Sequence, residues 1–311
     1  MKFERICKCE KNAWYKCNNL KCIKRLIYVI NDINNNVIPL FNWNAKKGNL
    51  NIVKYFVGNE ILTAKKIRDL AKGRMECLYL ACKYGQIEVV KYLINNFNLK
   101  MGDIRSPNGN NLALYNASTN GHLDIVKYLV DNTRLTIEDV CSKGNSILKS
   151  TSIANHFDIV KYFIEEFDLT INDICSNDNI IIKYACSHGN LNMVKYLLSK
   201  RKDGHIDLNE MRGDEGCFLP FNWAAGSNHL NVIKYLDKKF DITLKDIYYK
   251  GHSYAIQMAV MFERKELLEY LHDIVIRLGR CPGMNSGKIC RKIPEKGERY
   301  CKFHYKNAIP F

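Results

Sequence analysis

Four residues near the C-terminus have the types and spacing of a metal site. They are Cys281, Cys290, Cys301 and His304, in the order Cys-x8-Cys-x10-Cys-x2-His. Three thiolates and one imidazole complete the tetrahedral shell of structural zinc. Pro282, Gly283, Gly287, Pro294 and Gly297 supply turns that fold a short chain back on an ion. A segment this short cannot build an apolar core, so one zinc ion is its natural staple. Residues 277–306 also carry four arginines and five lysines against two glutamates, a net of +7. Tyr300, Phe303 and Tyr305 are the aromatics there that could stack on bases. Two readings follow: the tail binds nucleic acid, or it caps the fold and keeps it in solution.

Other reactive side chains point elsewhere. Cys7, Cys9, Cys17 and Cys22 could hold a second metal, but Cys22 aligns with an apolar position of the next unit, Ile52, where a cysteine acts as a small hydrophobe. Cys82 and Cys186 fall at packing positions. Cys186 and His188 have no third partner that would make them a nucleophile and base. Phosphate-binding glycine loops, paired catalytic carboxylates and a nucleophile elbow are all missing from the sequence. The chain is therefore read as a non-enzyme.

The elements that must carry these residues repeat. Ile52-Val53-Lys54-Tyr55 returns as Val89-Val90-Lys91-Tyr92, Ile125-Val126-Lys127-Tyr128, Ile159-Val160-Lys161-Tyr162, Met193-Val194-Lys195-Tyr196 and Val232-Ile233-Lys234-Tyr235, and closes with Leu267-Leu268-Glu269-Tyr270. Seven residues before each Tyr stands Gly48, Gly85, Gly121, Asn155, Gly189, Asn228 or Glu263. Glycine and asparagine tolerate the left-handed backbone that ends helices. Three and four residues earlier the side chains are small, as in Ala81-Cys82, Ala117-Ser118 and Ala224-Ala225, which lets helices approach closely. After the turn, apolar residues such as Leu123, Ile125, Val126, Leu129 and Val130 recur at helical spacing. Each unit reads as helix, tight turn, helix.

Units such as Ala117-Ser118-Thr119-Asn120-Gly121-His122-Leu123-Asp124-Ile125-Val126 resemble ankyrin repeats. The phrase is similar to those of ankyrin proteins from giant, mimivirus-like DNA viruses. The fold class this implies is all-α: an ankyrin-repeat solenoid with a small C-terminal metal-stapled module. Residues 1–36 form a degenerate capping repeat, 37–276 seven repeats and 277–311 the basic module. That module resembles Cys3His zinc knuckles of plant WRC type and of viral proteins. The family's Thr-Pro-Leu-His at the start of the first helix is missing, replaced by Leu112-Ala113-Leu114-Tyr115 and its equivalents. Linkers that read Thr136-x-x-Asp139, Thr170-x-x-Asp173 and Thr243-x-x-Asp246 predict a short helical turn in place of a β-hairpin finger. A polar stretch near Arg201–His205 accounts for the long Tyr196-to-Tyr235 spacing and predicts a protruding loop.

The resemblance implies binding without chemistry. The expected partner is another protein, met through linker tips and the exposed face of the first helices. Those positions hold Arg105, Asn108, Lys143, Asn177, Asp178, Lys250 and His252 in the linkers, with Tyr79, Tyr115, Lys149 and Lys183 on the helices. A nucleic-acid adaptor acting through the tail is the alternative. A ubiquitin-ligase adaptor ranks last, because neither end resembles an F-box.

Composition fits this reading. The chain has 311 residues, 47% hydrophobic and 25% charged, and lysine plus arginine exceed the acids by 15. The longest apolar runs, Leu26–Ile30 and Met258–Phe262, fall far short of the ~20 residues of a membrane span. The 13 cysteines without an export signal predict free thiols instead of disulfides. An intracellular monomer, acting in a host cell's cytoplasm, is expected. The six lysines before the tyrosines are expected to form a solvated ridge.

Overall fold

A computed structural model describes residues 17–29, 33–63, 65–67, 75–97, 99, 104, 111–133, 135–169, 180–200, 219–240, 242–247, 253–278, 284–285 and 288–289. The chain divides into two compact units, Met1–Leu169 and Thr170–Phe311. The first holds α1 (Leu20–Val29) and four helix pairs: α2 (Ile33–Lys46) with α3 (Leu50–Gly58), α4 (Glu76–Lys83) with α5 (Ile87–Phe97), α6 (Leu112–Thr119) with α7 (Leu123–Thr133), and α8 (Ile137–Ile153) with α9 (Phe157–Glu166). The second holds α10 (180–187), α11 (Leu191–Ser199), α12 (Leu219–Gly226), α13 (Leu230–Lys239), α14 (Leu244–Ile247), α15 (Tyr254–Met261) and α16 (Lys265–Arg277). In the first unit the first helices pack in sequence, α2 on α4 on α6 on α8. In the second, α12 packs on α15 and α11 on α13.

All seven turns form as the sequence predicts. Gly48, Gly85, Gly121, Asn155, Gly189, Asn228 and Glu263 have φ of 74, 73, 81, 66, 68, 66 and 51°. In each, the N–H of the following residue donates to the carbonyl four residues before the turn residue. Examples are Gln86 to Ala81 at 2.9 Å, His122 to Ala117 at 3.0 Å and Arg264 to Ala259 at 2.8 Å. This bond closes the Schellman motif and satisfies a carbonyl that the helix end leaves open.

The small residues before the turn are buried as expected. Ala81, Cys82, Ala117, Ser118, Thr151, Ser152, Ala185, Cys186, Ala224 and Ala225 are all fully buried. The last repeat departs from the pattern: Ala259 is buried, but Val260, at the position of Cys82 and Ala225, is 47% exposed. Met261 and Phe262 beside it are exposed too.

The Thr-x-x-Asp linkers open helices. The Asp139 carboxylate accepts the Thr136 N–H at 3.0 Å and its hydroxyl at 3.4 Å. Asp246 accepts from Thr243 in the same way, at 2.8 and 2.6 Å. At Thr243 the result is the short α14, as predicted. At Thr136 it differs, because the helix runs on without a break through Ile153. No proline stands between Thr136 and Ile153 to stop it. The missing Thr-Pro-Leu-His is replaced locally: Asn111 accepts from Leu114 N–H at 3.2 Å, and Ser253 from Ile256 N–H at 3.2 Å.

The N-terminal alignment also has a structural counterpart. Helix α1 falls where a second helix was aligned, and Asn44 on α2 donates to the Cys17 carbonyl at 3.0 Å. In the C-terminal segment, Met284–Asn285 and Lys288–Ile289 form an antiparallel ladder, β1 and β2, pairing Met284 with Ile289. An all-α reading thus omits one small hairpin. The Arg201–His205 stretch and Thr170–Asp173 lie outside the described residues.

Gly121→Val should lower stability by about 1–3 kcal/mol, because a β-branched side chain resists its φ. In addition, a Cβ there would lie 2.6 Å from His156 Cε1. Glu263→Gly should do the opposite. It relieves a left-handed cost of about 1–2 kcal/mol and adds about 0.5–1 kcal/mol of glycine chain entropy. Thermal melts of both variants test the pair, and a Gly121→Val melting temperature equal to wild type would refute the turn.

Candidate docking face

Two ladders run across neighbouring repeats. The first ties turn to turn through the residue that follows each turn residue. His122 lies over Gly85, where a Cβ would stand 2.7 Å from its ring, and its Nε2 meets the Lys83 carbonyl at 3.0 Å. His156 lies over Gly121 in the same manner. In the second unit, His229 lies over Gly189 and its Nε2 meets the Ser187 carbonyl at 2.9 Å. Arg264 replaces the imidazole in the last repeat and donates to the Ala225 and Gly226 carbonyls at 2.9 and 2.7 Å. His122 and His229 are tied in this way to backbone oxygens beside the turn.

The second ladder uses the lysine and tyrosine of the repeated phrase. Lys54 lies over Tyr92 at 5.7 Å, Lys127 over Tyr162 at 5.6 Å, Lys195 over Tyr235 at 5.5 Å and Lys234 over Tyr270 at 5.4 Å. Lys24 of α1 lies over Tyr55 at 5.2 Å, the same relation one helix earlier. Each ammonium sits within the ~6 Å at which a ring quadrupole attracts a cation. The lysines are exposed, as a ridge requires, but their heads rest on the next repeat's ring. Glu269 stands at this place in the last repeat, where no further tyrosine of the phrase follows. There the tie is made by Asp237, which accepts from the Tyr270 hydroxyl at 2.8 Å and from Arg277 at 2.5 Å. Burial first, and then Asp237, push the Tyr270 phenol up to about 12.

In each unit, first-helix side chains lie outside both ladders, and their exposure varies. Tyr115 is 38% exposed and Lys149 half-buried, as a contact face needs. Tyr79 and Lys183, at 7% and 9% exposure, are buried and offer little to a partner. All four stand six residues before the turn residue, so the repeat position alone does not decide exposure; the neighbouring helices do. Lys143 lies within α8, and its side chain falls outside the description. Arg105, Asn108, Asn177, Asp178, Lys250 and His252 lie outside the described residues. So do the four ligands Cys281, Cys290, Cys301 and His304, along with Cys7 and Cys9. Among the described residues, no group of three or more His, Cys, Asp or Glu side chains converges as a metal site.

Sequence reasoning missed the aromatic content of this face. Trp223 and Tyr254 are exposed in the second unit, with Tyr184 packed edge-on to Trp223 at 5.3 Å between centroids. In the first unit Tyr84 is exposed and Trp43 half-buried. A signal existed: Trp43, Tyr184 and Trp223 all stand five residues before a turn residue.

A family model described as Ankyrin repeats (3 copies) matches residues 12–103, 41–139, 97–173 and 152–246. The chain belongs to the ankyrin-repeat family. No curated protein matches it. Ankyrin repeats generally mediate protein–protein interaction and are typically non-catalytic scaffolds. No described helix is long and apolar enough to cross a membrane.

The thiols of these ankyrin repeats fit a packing role. Burial pushes Cys77 up to about 12 and raises Cys82 and Cys186 further. His188 is turned to the Tyr184 carbonyl at 2.8 Å and is not poised as a base for Cys186. Native protein at neutral pH should therefore leave Cys77, Cys82 and Cys186 unalkylated, with all three reacting after unfolding. Peptide mapping after iodoacetamide treatment checks this, and rapid labelling of Cys186 in folded protein would contradict it.

Proposed function

We propose that the chain is a non-catalytic docking scaffold whose partner is another protein, held on the exposed face of the first helices. The observation that carries this reading is the division of labour among the side chains. The recurring Lys and Tyr of the phrase make inter-repeat ties at Lys54, Lys127, Lys195 and Lys234, while Tyr84, Tyr115, Trp223 and Tyr254 stay exposed on the first helices or at their ends. Tyrosine and tryptophan bring large contact area with few rotatable bonds, which is why they anchor interfaces. The similarity of the repeat phrase to giant-virus ankyrin proteins supports a host protein in the host-cell cytoplasm as that partner, and the scaffold acts as a monomer.

Affinity capture from such cells tests the reading. Tyr115→Ala and Tyr254→Ala should each weaken retention of the captured partner, by more than about 1 kcal/mol where the ring is an anchor. Their helical circular dichroism should be unchanged. A partner kept by both variants and lost on deletion of residues 279–311 would move the binding site to the tail.

The tail is proposed as a zinc knuckle held by Cys281, Cys290, Cys301 and His304. The β1–β2 ladder supports it, since pairing Met284 with Ile289 turns the chain back between the first two ligands. Its net charge of +7 supports nucleic acid as a second ligand class. About one zinc per chain is expected by metal analysis. Cys290→Ser should abolish it and leave the repeats' helical signal nearly intact. Zinc near zero after purification without chelator would refute the site.

A further inference from the structure

One part of the first-helix face differs in chemistry from the rest. At the ends of α2 and α4, three lysines gather around two aromatic rings. Lys46 Nζ lies 4.3 Å from the Tyr84 ring centroid and 5.4 Å from that of Trp43. Lys47 Nζ lies 5.0 Å from Trp43, and Lys83 Nζ 5.9 Å from Tyr84. Among the described residues, none of the three ammoniums meets a carboxylate, whereas Lys91 pairs with Glu88 at 3.1 Å and Arg277 with Asp237. Glu76 opens α4 at the far end and accepts from Asn42, while Glu88 beyond the turn is paired with Lys91. Seven residues of helix, about 10 Å of rise, separate Glu76 from Lys83.

Helix geometry does not require these charges. Lysine in a last turn is favoured by the helix dipole, but the two positions before the turn residue are Thr119-Asn120, Ile153-Ala154, Ser187-His188, Gly226-Ser227 and Met261-Phe262 in the other repeats. Only the first two repeats place lysine there, and both do so beside a ring. Ammoniums already lie over the Trp43 and Tyr84 rings, at the place a stacking base would take. The cluster gathers three positive heads, each held over a ring, which lose less freedom on binding than loose lysines would. Such heads suit carboxylates on a flexible chain better than nucleotides. The lowered pKa of the Tyr84 phenol, caused first by Lys46, reports the same concentration of positive charge.

We infer that Lys46, Lys47 and Lys83, braced on Trp43 and Tyr84, receive an acidic segment of a partner protein. This rests on the docking reading and names the partner chemistry for one part of that face.

Full-length protein is titrated by fluorescence anisotropy with a labelled oligoglutamate peptide, an oligoglutamine peptide of the same length and an oligothymidylate of the same charge. Oligoglutamate should bind and oligoglutamine should not. Lys46→Gln/Lys47→Gln/Lys83→Gln should weaken oligoglutamate binding about tenfold, the sum of three exposed pairs. The matching Lys→Arg triple should restore it. Lys238→Gln/Lys239→Gln/Lys265→Gln removes equal charge from exposed sites of the other unit and should cost about twofold or less. Equal losses in the two glutamine triples, or tighter binding of oligothymidylate than of oligoglutamate, overturn the inference. If the first triple loses helical signal, Lys83→Glu alone decides, with about threefold weakening expected and no change overturning it. Tyr115 and Tyr254 take no part in this readout. Loss of peptide binding with partner capture still dependent on those rings would sink the acidic-segment inference and spare the docking reading.

Discussion

The left-handed turn between the two helices of each repeat is the constraint on which the rest depends. One residue at positive φ reverses the chain, and a single bond to the carbonyl four residues back fixes the angle. With that angle fixed, the small residues before the turn face inward and can be packed over. The next repeat then lays a side chain onto the turn itself. Glycine at positions 48, 85, 121 and 189 meets two demands at once: it tolerates the φ, and it leaves room for Gln86, His122, His156 or His229. Asn228 meets only the first, and there the longer Arg264 reaches to the Ala225 and Gly226 carbonyls instead.

The lysine–tyrosine ladder on the second helices has a different physical basis. It joins surface groups, so each contact contributes only on the order of 0.5–1 kcal/mol. Its value lies in repetition and direction: Lys24, Lys54, Lys127, Lys195 and Lys234 each reach toward the next repeat's ring, whereas Lys91 pairs with Glu88 of its own helix. The exchange of lysine for Glu269 in the last repeat follows from this direction, since the phrase offers no further ring to cover. The two ladders commit the regular side chains to packing, and the irregular ones on the first helices take no part in them. Aromatics and lysines on the first helices differ from repeat to repeat, which is where one ankyrin protein can differ in partner from another.

Much of the fold was legible because its signals are local in the chain. A residue that tolerates positive φ, small neighbours three and four positions earlier and Thr-x-x-Asp caps each act within one helical turn. The site was less legible. Tyr79 and Tyr115 occupy the same place in their repeats, yet one is buried and the other exposed. No property of either residue in isolation separates them.

By itself the sequence determined where the chain reverses between paired helices, how it does so and that the units repeat, since φ preference, capping and periodicity are properties of a few consecutive residues. It also placed Cys82 and Cys186 in the interior, because they share the position of alanines, whereas the burial of Cys17 and Cys77 became visible only in the fold. Tertiary structure alone decided that the ridge lysines rest on rings thirty-odd residues ahead, that α8 runs unbroken from Ile137 to Ile153, and that Lys46, Lys47 and Lys83 meet around Trp43 and Tyr84. The reason is physical: these outcomes depend on distances between repeats, and a one-dimensional pattern fixes such distances only after neighbouring helices have packed.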